Sequence, residues 1–227
     1  MSGMDVRAVR MARGWRQEEL ARRLGVSQTL VSLWEKGQRP VPPRRWAQLR
    51  RLGVQFDPVD LPARNPSESK SVDFARELAN LGYPGFAHRR TGEAGWNPAQ
   101  LLVLGLAENQ LDRRVAEALP WLALRYWNMS WERISSEAKV RDLQNRLGFT
   151  LSLARDLAKR LQYTDAAGRL RQAEQNLKRS LLAKEDTYCN EQLTASERRW
   201  LREHRPRKAA QWRLLSDLRA EHLTHVA

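Results

Sequence analysis

Apolar residues recur three and four positions apart in short runs along most of the chain. Nowhere does an apolar–polar alternation of period two persist long enough for a strand, so the pattern predicts an all-α fold. Near the N-terminus two such runs are separated by a single glycine. In the first, Gln17 to Leu24, the inward positions are Leu20, Ala21 and Leu24. In the second they are Val31 and Trp34, which leaves Gln28, Thr29, Ser32, Leu33 and Lys36 on the opposite face. Ser27 is placed to cap the second helix and Gly37 to end it, while Gly25 permits a sharp turn and the small Ala21 lets the helices cross closely.

The periodic pattern then lapses. "FDPVDLPARNPSESKS" (56–71) carries three prolines and three serines and reads as a linker over 57–71, between a domain at 1–56 and a larger helical domain at 72–227. The overlapping "VQFDPVDLP" (54–62) contains two of these prolines and has room for one helical turn at most. In the larger domain a helix ends at Gly82, and Asn97 with Pro98 opens a nearly all-apolar one. Asp112 opens another, which Pro120 should kink or divide. A long helical pattern from Ser130 is expected to break near Gly148. Thr164 or Asp165 starts a helix with the stripe Leu170, Ala173, Leu177 and Leu181. Thr194 and Glu197 form a capping-box pattern, and Trp212, Leu215 and Leu218 mark a last helix after Pro206.

Composition changes the picture through charge. The formal net charge is +14 over 227 residues, with 13 basic against 6 acidic residues in 1–65 and 27 against 20 in the remainder, so polyanionic partners are expected and nucleic acid leads. An anionic membrane surface would also suit the charge, but there is no run of about 18 apolar residues and no signal-peptide core at the N-terminus. A single cysteine, Cys189, excludes an intramolecular disulfide and a multi-thiolate metal site. No phosphate loop, metal-ligand cluster or nucleophile beside a base is present, so neither a cofactor nor catalysis is expected. The densest basic run spans Arg198, Arg199, Arg202, Arg205, Arg207, Lys208 and Arg213. It reads as a solvated helical face, as extra phosphate contacts or as a surface for an acidic partner. Among nine tryptophans, Trp121, Trp127 and Trp131 cluster at a helix junction, as core staples or as partner contacts.

The two N-terminal helices make a helix-turn-helix, and glutamine heads both. "MARGWRQEELARRLGVSQTLVSLWEKGQRPVP" resembles the XRE family of bacterial and phage regulators, with the likeness covering residues 4–53. The resemblance implies a cytoplasmic bacterial protein that binds double-stranded DNA as a homodimer on an inverted-repeat operator. It implies that Gln17 bonds a backbone phosphate and that Gln28 reaches the adenine N6/N7 edge in the major groove, where an amide both accepts and donates. Thr29, Ser32 and Leu33 complete the reading face, and Ser27, Lys36 and Arg39 flank it, with Arg44, Arg45, Arg50 and Arg51 as further phosphate candidates. Two residues depart from the family pattern. Arg16 stands where a Ser or Thr cap is usual, exchanging a cap for a phosphate-directed cation, and Leu33 stands where a polar or basic residue is common. With the fifth helix eroded, dimer contacts are expected after residue 72.

The phrases "DRRVAEALPWLALRY", "DLQNRLGF" and "SERRWLREHRP" resemble helical proteins with an XRE head that are encoded beside nucleotidyltransferase toxins. That likeness implies an autoregulating antitoxin whose helical domain binds the toxin through Arg198, Arg199, Trp200, Arg202 and Trp212. The alternatives are a one-component repressor that senses a small molecule and an architectural DNA binder.

Overall fold

The computed structural model describes residues 3–42, 45, 48, 49, 52, 57–61, 63, 64, 72–92 and 94–223. Among the described residues the fold is all-α apart from one short parallel pair of strands, and the chain divides into two compact units, Met1–Ala63 and Arg64–Ala227.

In the first unit, α1 (Gly3–Ala12), α2 (Gln17–Leu24) and α3 (Gln28–Glu35) enclose Val6, Leu20, Ala21, Leu24, Val31, Trp34, Val41 and Leu49. Gly25 is left-handed (φ 62°), and the N–H groups of Gly25 and Val26 donate back to the carbonyls of Arg22 and Ala21, which ends α2 in one residue. Lys36 to Gln38 close α3 in the same way around Gly37. The side chain of Asp57 caps a single 3-10 turn, Pro58–Asp60, and Leu61 after it is buried. This corrects the expected linker. Residues 57–61 belong to the first unit, because the turn brings one more leucine into a small core. Arg64 belongs to the second, its N–H donating to Gln100 (2.8 Å). The positions 65–71 lie outside the described residues.

The second unit is organised around one helix. α4 (Phe74–Asn80), α5 (Pro98–Ala107), α6 (Arg113–Arg125) and α7 (Trp131–Val140) precede α8 (Gln144–Arg160), which packs against α6, α7 and α9 (Thr164–Lys178). β1 (Asp186–Thr187), α10 (Ala195–His204), α11 (Arg207–Gln211) and β2 (Leu214–Leu215) follow, with β1 and β2 parallel in the register Asp186–Leu214. Residues 143–154 of and before α8 are buried on every side. Three polar ones among them, Asn145, Arg146 and Thr150, are engaged by the segment that follows α9. Asn145 exchanges hydrogen bonds with the backbone of Leu182, and Thr150 bonds the Tyr188 hydroxyl (2.9 Å). Arg146 holds both carboxylate oxygens of Asp186 (2.7 and 3.0 Å) and the carbonyl of Leu106 (2.9 Å). Burial works against the Arg146 charge, but Asp186 outweighs it and the guanidinium pKa is raised.

Of the two outcomes expected at Pro120, a kink or a division, division does not occur: Pro120 sits inside α6. Two local expectations change. The long helical pattern breaks at Arg141–Leu143 rather than at Gly148, with Asp142 in the left-handed region (φ 56°) and the N–H of Leu143 bonded to the carbonyl of Ala138. Gly148 lies within α8 because the Trp212 ring packs against it, where a Cβ would stand far closer than the 3.0 Å that real Cβ atoms keep. The expected last helix is only Arg207–Gln211, since Leu214 and Leu215 leave it to pair with β1. At the aromatic junction Trp121 and Trp131 are core, whereas Trp127 is 37% exposed. Trp121 lies against Tyr83 (5.1 Å), and the Trp131 indole donates to the carbonyl of Trp127.

Candidate nucleic-acid interface

The α2–α3 pair presents its polar face because its other face is locked. Val31 and Trp34 are buried, and beneath them Glu35, with a side chain only 4% exposed, accepts from Arg10 at both oxygens (2.6 and 3.0 Å) and from the Gln17 amide (2.9 Å). Burial pushes the Glu35 carboxyl up, but the bonds from Arg10 and Gln17 outweigh it and its pKa falls below the usual carboxylate range. The Arg10 guanidinium is raised in turn, first by its hydrogen bond to Glu35. Sequence reasoning missed this ion pair, which joins residues 25 apart on α1 and α3 and carries no local signature. It also missed Trp15, which lies under the guanidinium groups of Arg13 (5.3 Å) and Arg23 (4.3 Å).

Ser27 caps α3, its hydroxyl accepting from Leu30 N–H (3.2 Å), so the helix begins abruptly with Gln28 and Thr29 exposed on its first turn. Lys36 and Arg39 are exposed at the far end, and Ser32 and Leu33 are half-buried between. Arg16 is exposed at the start of α2 and makes no side-chain cap. Gln17 is half-buried. One N–H of its amide is engaged by Glu35, so the unengaged N–H is the one left to reach a phosphate. Arg45 is turned inward, its guanidinium donating to the Leu24 carbonyl (2.6 Å) and to Gln48 (2.7 Å), which makes it a clamp on the end of α2 rather than a phosphate contact. Arg44, Arg50 and Arg51 lie outside the described residues.

In the second unit the expected partner residues divide: Arg199, Trp200 and Arg202 are exposed, Arg198 is half-buried and Trp212 is buried. Trp212 is 0% exposed, which removes it from any contact surface: its ring fills the slot over Gly148. Arg198 donates to the carbonyls of Glu191 and Leu193. Arg202 and Arg205 share the Glu185 carboxylate (2.8 and 3.0 Å), Arg213 donates to Ala183, and Lys208 pairs with Asp156. The basic run is therefore chiefly a set of clamps that hold residues 183–193 in place. Arg199 and Arg207 are exposed, without an ion pair or hydrogen bond among the described residues. Trp200 is 51% exposed and stacks on His204 (4.4 Å).

Among the described residues there is no helix long and apolar enough to cross a membrane, and no grouping of three metal-ligating side chains. Residues 3–62 match the family model of a helix-turn-helix domain, about a quarter of the chain. No curated protein and no solved structure matches the chain. The first unit is a helix-turn-helix domain, a unit that binds DNA.

Proposed function

We propose that this helix-turn-helix protein is a sequence-specific transcriptional regulator of the XRE type, bound as a homodimer to an inverted repeat with half-site centres about one turn, ~10 base pairs, apart. The observation that carries the reading is the exposed, uncharged polar start of α3. A Ser27-capped helix that offers Gln28 and Thr29, over a face locked by Trp34 and the Arg10–Glu35 pair, is built to present hydrogen-bonding groups to base edges. Arg16, at the start of α2, and Lys36 and Arg39, at the far end of α3, supply charge for phosphates. The first unit holds a single 3-10 turn at 58–60, where relatives of this type use a helix in dimer packing, so dimer contacts are assigned to the second unit.

The finer reading is an autoregulating antitoxin whose second unit holds a nucleotidyltransferase toxin. It is supported by the resemblance of three helical phrases and by the exposed Arg199, Trp200 and Arg207, residue types enriched where protein partners anchor. A second reading, a one-component repressor that senses a small molecule, is favoured by an apolar cleft beside Trp200. Selection of bound sequences from random DNA with the full chain, followed by footprinting, tests the regulator. The expected product is an inverted repeat on which Gln28→Ala and Thr29→Ala each cost about 1–3 kcal/mol while affinity for random DNA holds. Equal losses on both DNAs would refute base reading by α3. Co-purification of the product of an adjacent gene at high salt tests the antitoxin reading.

A further inference from the structure

The break that ends α11 early has a consequence on the surface. Because the chain turns at Trp212–Arg213 and 214–218 are not helical, Leu215 and Leu218 do not close onto a helix face but floor a cavity of about 350 Å³, together with Tyr188 and Leu201. The 188–191 segment forms one wall, fixed to the start of α6 by backbone hydrogen bonds from Leu111 to Cys189 (2.9 Å) and from Glu191 to Asn109 (2.8 Å). The indole of Trp200 stands half-exposed at the lining. The volume falls within the range of roughly 300–1,000 Å³ in which pockets take small organic ligands.

The charge of the rim is opposite to that of the chain. Glu117, Glu197 and Asp217 contribute three carboxylates to the lining against one guanidinium, Arg113, although the protein as a whole carries +14. Arg113 is already paired, with Glu117 (3.0 Å) and Asp217 (3.6 Å), and its side chain is largely exposed, so it can swing aside. Glu197 is held at the rim by the capping box, accepting from the N–H and hydroxyl of Thr194. An apolar floor, an exposed indole and an excess of carboxylate form the combination that recognises a lipophilic organic cation. The floor takes the hydrocarbon, while the indole face and the carboxylates take the ammonium.

We propose that this cleft binds an amphipathic organic cation, a protonated or quaternary amine carrying one aromatic or branched apolar group. The proposal rests on the ligand-sensing reading only for its consequence at DNA; the binding itself stands independently. Calorimetric titration of the full chain with (4-phenylbutyl)trimethylammonium and with 5-phenylpentanoate, which share a phenyl ring and alkyl chain and differ in the sign of the charge, tests it. The cation is expected to bind at least about tenfold more tightly than the carboxylate. Trp200→Ala and the pair Glu117→Gln with Asp217→Asn should each weaken it about tenfold, while Trp127→Ala, remote from the lining, leaves it unchanged. Equal affinity for the two ions, unaltered binding by Trp200→Ala, or no uptake of the cation at millimolar concentration would overturn the proposal. Operator binding measured on the same samples keeps the two failures apart. A chain that binds its operator but not the cation overturns the cleft. One that binds the cation but not DNA leaves the cleft standing and removes the regulator.

Discussion

Replacing Gly148 by alanine sets two effects of opposite sign against each other. In an unconstrained helix interior, alanine in place of glycine stabilises by about 1 kcal/mol, because less backbone entropy is lost on folding. In α8 the new methyl would enter the envelope of three ring atoms of Trp212, and ring and helix would have to part by on the order of 1 Å to regain ordinary contact. The ring is fully buried and the helix is enclosed on all sides, so neither has room to move. Overpacking of that kind costs typically ~1–3 kcal/mol and more where relaxation is blocked, so we take about 3 kcal/mol here, the upper part of the range. The balance is a net loss of about 2 kcal/mol, which in a unit of this size lowers the midpoint by roughly 4–8 °C. Differential scanning calorimetry of the full chain, following the transition of the second unit, measures it. A double-mutant cycle with Trp212→Leu isolates the cause: the alanine should cost little once the ring is gone, giving a coupling energy above ~1 kcal/mol. A Gly148→Ala chain that melts higher than the parent, as helix propensity alone requires, would refute the packing argument and return Trp212 to the list of candidate surface residues.

Three further outcomes are expected. Glu35→Gln should destabilise the first unit by about 3 kcal/mol, since it leaves the Arg10 guanidinium buried without its counter-charge, as chemical denaturation would read. Because the folded Glu35 carboxyl is depressed, its contribution is present above the ordinary glutamate pKa of about 4.3 and is lost as pH falls further; the parent's first transition should weaken in acid and the Gln variant's much less. Arg16→Ala should weaken specific and random DNA alike and reduce the salt-dependence slope of binding by about 1, in contrast to Gln28→Ala; an unchanged slope would leave Arg16 in solvent. Cys189 is fully buried, and burial pushes its thiol up to about 12, so a disulfide reagent at pH 8 should label the chain only in denaturant, and rapid labelling of the native protein would contradict the packing around it.

What the chain determines by itself is the part whose causes are local. Ser27, Gly25 and Gly37 act within a few residues, and the spacing of Leu20, Ala21, Leu24, Val31 and Trp34 specifies which faces turn inward, so the helix-turn-helix and its outward polar face are legible without coordinates. The caps Asn97, Asp112 and Thr194 are legible for the same reason. The helix break at Asp142 was not. Helices usually end on a left-handed glycine, and here aspartate takes that conformation while the nearby glycine, Gly148, serves as a slot for a ring 64 positions away. Separation in sequence, shorter but still beyond one helical turn or two, hid the Arg10–Glu35 lock and the groups that engage Arg202 and Arg213. A run of arginines has one composition whether its partners are internal or external. Only tertiary structure decides, because it brings acceptors from residues 183–193 to most of them and leaves Arg199 and Arg207 with no ion pair or hydrogen bond among the described residues.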